Sequence, residues 1–127
     1  MLLYQLWIYH LTIFVDEVMW LARSSGFKSG ELADTAVHVL LALVRPRHGY
    51  AVMQFLEEQS HGSISLGPAS LYSTLKKLSD AGFITELEND QNRRVYQLSD
   101  TGQKVLVRNI ERRRQLLAMA DQILEEI

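Results

Sequence analysis

Gly67-Pro68-Ala69-Ser70-Leu71-Tyr72-Ser73-Thr74-Leu75-Lys76-Lys77-Leu78-Ser79-Asp80-Ala81-Gly82-Phe83-Ile84-Thr85-Glu86-Leu87 changes its period partway along. Up to Ala81 the leucines fall at 71, 75 and 78, the three-and-four spacing of a single helix face. Beyond Gly82, apolar and polar residues alternate and β-branched or aromatic types are frequent, which is the pattern of a half-buried strand. Gly67 suits an N-cap and Pro68 the first helical position, where proline's missing N–H costs nothing. Gly82 offers the left-handed residue on which a helix stops. The stretch is therefore predicted to be a helix from Pro68 to about Ala81 that passes directly into a strand.

On a helical wheel Leu71, Leu75 and Leu78 share a narrow arc that must face a core. Ala69, Ser73 and Lys76 lie opposite, with Ser70, Tyr72 and Lys77 on the flanks. The outward face is thus short, polar and basic. Downstream, Arg94-Val95-Tyr96-Gln97-Leu98 alternates again and is predicted to pair with Phe83–Leu87 as a hairpin, with Glu88-Asn89-Asp90-Gln91-Asn92 as its polar tip. Upstream, a helix from about Glu31 to Val44 carries almost no polar face and is stopped by Pro46. A further helix carrying Tyr50, Val52, Met53, Phe55 and Leu56 ends at Ser60-His61-Gly62. Three helices followed by a two-stranded hairpin is the order of a winged helix, a mainly α fold with a small β wing, in which the last of the three helices enters the major groove of DNA.

Both ends extend this unit. Leu3, Leu6, Trp7, Leu11, Phe14, Val18 and Leu21 recur at helical spacing over the first 22 or so residues, and Ser24-Ser25-Gly26 and Ser29-Gly30 break that pattern. At the other end Ser99-Asp100-Thr101 offers N-caps, and Asp100 with Gln103 matches a capping box that opens a helix running to Ile127. Leu106, Ile110, Leu117, Ala120, Leu124 and Ile127 form a seam along that helix, interrupted by Arg113, and are the expected dimer contacts. The organisation is therefore an apolar N-terminal helix over 1–28 (a dimer or core extension), a winged-helix domain over 29–99 and a dimerisation helix over 100–127.

Composition narrows the function. At 127 residues, 47% hydrophobic and 22% charged, the chain is an ordinary globular domain, but its formal charge of -2 provides no general attraction to nucleic acid. A DNA-binding reading must rest on where the cations sit. On the outward helix face Ser70 and Ser73 permit close approach, Lys76 and Lys77 meet phosphates or guanine edges, and Tyr72 can bond a phosphate. Arg93 and Arg94, beyond the hairpin tip, suit a phosphate clamp, although pairing with Glu86 or Glu88 is the plain surface alternative. Lys104, Arg108, Arg112, Arg113 and Arg114 against Glu111 leave a local excess of four positive charges, available to DNA or to acids on a partner helix.

Other functions find little support. The four histidines, His10, His38, His48 and His61, stand apart from any paired carboxylate and match no metal motif, so neither an enzyme nor a bound cofactor is expected. His48 is expected to be a structural turn residue and His38 a buried, hydrogen-bonded one. The absence of cysteine fits a reducing cytoplasm. Met1–Val15 lacks charge but is shorter than the roughly 20 residues of a membrane span, so no membrane partner is expected. Two alternatives stay open: a winged helix that binds protein instead of DNA, and a pocket for a planar effector lined by Trp7, Phe14 and Trp20.

Four motifs in order, His48-Gly49-Tyr50, then Ser70 to Leu78, then Ala81-Gly82-Phe83-Ile84, then Arg93 to Gly102, resemble the PadR family of transcriptional regulators. The resemblance covers about Glu31 to Ile127. It implies a homodimer built on the C-terminal helices, binding double-stranded DNA as a repressor and released by a small-molecule effector. It assigns Ser70, Tyr72, Ser73, Lys76 and Lys77 to the recognition helix, and Arg93 and Arg94 to the wing.

Overall fold

The computed structural model describes residues 30–87 and 93–127; the N-terminal helix expected over 1–28, with its aromatic residues, and the hairpin tip 88–92 lie outside them. The elements are α1 (Asp34–Ala42), β1 (Arg47–His48), α2 (Gly49–Gln59), α3 (Pro68–Asp80), β2 (Ile84–Leu87), β3 (Val95–Leu98) and α4 (Asp100–Leu124). Together they make a winged helix with a long C-terminal helix.

The core forms where the apolar stripes predicted from periodicity meet. Val39, Leu40 and Leu43 from α1, Val52 and Leu56 from α2, and Leu71, Leu75 and Leu78 from α3 are buried against Phe83, Ile84 and Tyr96. α1 starts at Asp34, later than the expected Glu31, where the chain before it is tied to α4: the Leu32 backbone N–H donates to Asn109 on α4, and the Leu32 carbonyl accepts from Arg113. Helical turns there would forfeit both bonds. Leu41 and Val44 give the helix one wet edge. His38 is half-buried on α1 and not enclosed as expected, because only the face carrying Ala36, Val37, Val39 and Leu40 meets the core.

α3 begins with Gly67 at the N-cap and Pro68 behind it, as predicted. It ends in a Schellman turn: Phe83 N–H donates to the Leu78 carbonyl at 2.9 Å and Gly82 N–H to Ser79 at 3.0 Å. Gly82 sits at φ 79°, which other residues adopt only with strain. That turn aims the chain straight into β2.

The sheet has three strands, in the order β1-β3-β2, all antiparallel. Thr85 faces Gln97 and Glu86 faces Tyr96 across the predicted hairpin. β1 adds Arg47 opposite Tyr96 and His48 opposite Val95. Two residues carry no readable period, so this strand was not predictable from alternation.

The start of α4 corrects the expected capping box. Ser99 is the N-cap: its hydroxyl accepts from Gly102 N–H at 3.0 Å and donates to the Gly82 carbonyl at 2.7 Å. Asp100 stands instead at the first helical position, and the residue three beyond the cap is Gly102, which has no side chain to reach back. The regular helix stops at Leu124, short of Ile127. Leu106 requires a second correction: it is only 5% exposed, sealed in the core of its own chain and closed to a dimer contact. Ile110 packs at the edge of that core, while Leu117, Leu124 and Ile127 are exposed together with Leu116, Met119 and Ile123. Among the described residues no helix is long and apolar enough to cross a membrane.

Candidate nucleic-acid interface

α3 turns Leu71, Leu75 and Leu78 fully inward, so its register against the core is rigid and its opposite face is fixed outward. Ala69, Ser70, Tyr72, Ser73, Lys76 and Lys77 all lie on that exposed side. Neighbouring elements rise beside it. Tyr72 leans from α3 over the first residue of α2, and a Cβ added at Gly49 would stand 3.0 Å from the Tyr72 hydroxyl. Glycine at 49 is what lets that ring lie so close.

Tyr72 forms one wall of a cleft of about 360 Å³, closed by His48, Gly49 and Tyr50 from the β1–α2 junction and by Arg93, Arg94 and Tyr96 from the wing. Of the residues singled out in the sequence, Tyr72, Arg93 and Arg94 meet here. Ser70, Ser73, Lys76 and Lys77 continue along α3 outside the cleft. Tyr50 and Tyr96 were not singled out as site residues. The His48-Gly49-Tyr50 motif hinted at the first, but only the folded chain brings α2's start beside the wing.

His48 caps α2, its Nδ1 accepting from Ala51 N–H at 3.3 Å, which is the turn role expected of it. Arg47 is spent on structure: its Nε donates to the Ala42 carbonyl at 2.8 Å and its guanidinium lies 4.0 Å over the Phe55 ring. It thereby ties the end of α1 to β1 and α2.

The wing arginines remain available. Arg94 reaches Glu86 at 3.9 Å with both side chains well exposed, a pair worth well under about 1 kcal/mol and readily surrendered to a phosphate. Arg93 is exposed beside it.

The basic stretch of α4 behaves otherwise. Arg112 pairs with Glu31 at 2.7 Å, Arg113 with Asp34 at 2.7 Å and Arg114 with Glu111 at 3.3 Å. These three arginines pair with acids of their own chain, where a partner helix was one expectation. The hydrogen bond from Arg113, reinforced by its charge, holds the Asp34 carboxyl below its ordinary range.

With this geometry in view, the chain can be set beside known proteins. A family model described as "Transcriptional regulator PadR-like family" matches residues 38–108. Among solved structures, a PadR family transcription regulator from Clostridium difficile R20291 superposes with a TM-score of 0.62 at 18% identity, over 72% of this chain and 99% of that one. A PadR-like transcription factor from Bacteroides fragilis gives 0.58 at 20% identity, over 70% and 87% of the two chains. The protein smu.1704 of Streptococcus mutans UA159 gives 0.58 at 28% identity, over 75% and 92%. Among curated proteins, none matches.

Proposed function

The chain belongs to the transcriptional regulator PadR-like family, and from that premise we propose that it is a dimer that binds a specific DNA operator through α3 and the wing. The observation that carries this reading is the outward face of α3, where small hydroxyl residues and two lysines stand exposed beside a cleft holding both wing arginines. Ser70 and Ser73 allow the helix backbone to approach base edges. Lys76 and Lys77 meet phosphates or guanine acceptors, and the Tyr72 hydroxyl bonds the backbone where α2 and α3 converge. Arg93 and Arg94 clamp the adjoining phosphates.

Dimerisation falls to the far half of α4 and the residues just beyond it, through Leu117, Ala120, Leu124 and Ile127. Exposed Leu116, Met119 and Ile123 widen the apolar face they share. By family resemblance the regulator is a repressor that leaves its operator on binding a small effector.

The test is binding of purified protein to its own upstream DNA and to a scrambled duplex, across a salt series. Specific binding whose affinity falls steeply with salt is expected. Lys76→Ala and Arg94→Ala should each weaken it while leaving the fold intact, each lost phosphate contact removing about 0.9 from the salt slope. No binding even at low salt would replace this reading with a winged helix that docks on protein.

A further inference from the structure

α4 serves the reading head at one end and the exposed apolar face at the other. Its inward residues Gly102, Val105, Leu106 and Asn109 are buried, whereas from Arg114 onward nearly every side chain is exposed. Among the described residues, the last hydrogen-bonding groups that bridge it to other elements therefore bear most on the direction in which it leaves.

Asn109 and Arg113 are those groups. Asn109, 1% exposed, accepts from Leu32 N–H at 2.9 Å and donates to the carbonyls of Gly30 at 3.2 Å and Val105 at 2.8 Å. One turn on, Arg113 donates to the Leu32 carbonyl at 3.0 Å, to Asp34 at 2.7 Å and to the Asn109 carbonyl at 3.3 Å. Arg112 adds its pair with Glu31. A leucine at 109 would satisfy packing alone, since a buried amide repays its desolvation only when all its bonds are made. Packing of Gly102, Val105 and Leu106 seats the start of the helix, and this set of directed bonds, each weakening steeply with angle, adds a second anchor further along it.

We infer that Asn109 and Arg113 are positioning residues for operator binding. They fix the angle between the reading head and the distal half of α4, and so the separation of the two recognition helices. The inference rests on the dimeric DNA-binding reading above. The helical residues 114–124 form an arm about 16 Å long at 1.5 Å per residue. A tilt of about 10° moves its far end by about 2.9 Å, most of the roughly 3.4 Å between base pairs. Two-fold symmetry doubles the change, so small freedom at this joint blurs the half-site spacing that a dimer reads.

The first test uses operators whose half-sites are moved apart or together by single base pairs. The unaltered protein should favour one spacing, losing about tenfold in affinity one base pair away, whereas Arg113→Ala should flatten that preference to under about threefold. Arg113→Lys keeps the Asp34 pair but cannot also reach the Leu32 carbonyl, and should flatten it less. Arg114→Ala, whose partner Glu111 lies on the same helix, should leave the preference intact. A uniform loss across all spacings in Arg113→Ala would overturn the inference.

A second test needs no DNA. The chain has no cysteine, so Gln54→Cys with Gln122→Cys gives two defined sites for spin labels, diluted with unlabelled chain so that distances within one chain are read. The distance distribution should broaden or shift in Arg113→Ala and stay narrow in Arg114→Ala. An unchanged distribution in Arg113→Ala would refute the positioning role, whereas absence of operator binding by the unaltered protein would refute only the DNA reading.

Discussion

Gly102→Ala distinguishes a close-packed joint from an ordinary helix position. Gly102 lies in the first turn of α4, where replacing glycine by alanine ordinarily adds about 1 kcal/mol of helix stability. Here the new Cβ would stand 1.8 Å from the Phe83 carbonyl oxygen, and backbone cannot rotate away as a side-chain tip does. To restore normal contact that carbonyl must retreat by about 1.5 Å. The same oxygen accepts from Ser99 N–H at 3.0 Å, and the Phe83 ring is fully buried. Loss of that bond costs about 1 kcal/mol. Distortion of the core and of the Ser99 cap adds about 2–4 kcal/mol. Against the helix gain, the net destabilisation is about 2–4 kcal/mol, a fall in Tm of about 8–15 °C for a domain of this size. Thermal unfolding at fixed protein concentration, which also controls for dimerisation, reads it directly. A Tm equal to or above that of the unaltered protein would refute the reasoning, because relief from glycine alone predicts a rise.

Gly49→Ala should behave differently, since its Cβ meets only the far end of exposed Tyr72. Tm should stay within about 2 °C while DNA affinity falls about three- to tenfold as the tyrosine is displaced; unchanged affinity would remove Tyr72 from the interface. A glutamate at Leu117 or Leu124 should yield folded monomers in sedimentation, whereas Leu106→Glu should unfold the domain because it buries a charge in the core. A folded Leu106→Glu protein would contradict the assignment of that residue to the core. Asp34→Asn should lower stability slightly at neutral pH. Because the Asp34 carboxyl is held below its ordinary 3.8, that difference should persist down to pH 3.8 and vanish only below it. High salt should shrink it in urea titrations, as for any exposed pair.

The winged-helix unit was legible in the sequence because its signals are local. Leu71, Leu75 and Leu78 announce an amphipathic helix, Gly67-Pro68 its start and Gly82 its end, and each depends only on neighbours within a few residues. The outward residues of α3 followed from that wheel. The seam on α4 was partly misread for the same reason: periodicity marks an apolar face but does not say which body covers it. Leu106 meets its own core and Leu117 meets solvent, though both fit one spacing.

The sequence by itself therefore determined the order of the helices and the hairpin, the register of α3 and the family. Only the tertiary structure decided which distant groups meet. Asn109 and Leu32 are 77 residues apart and Arg113 and Leu32 81 apart, and neither pair follows from any repeat. The alignment of Tyr50 with Tyr72 and Arg94 likewise depends on how α2, α3 and the wing pack. Helix and strand patterns follow from bonds and side-chain directions a few residues apart, whereas clefts, ion pairs and buried polar joints are fixed when separate elements share one core.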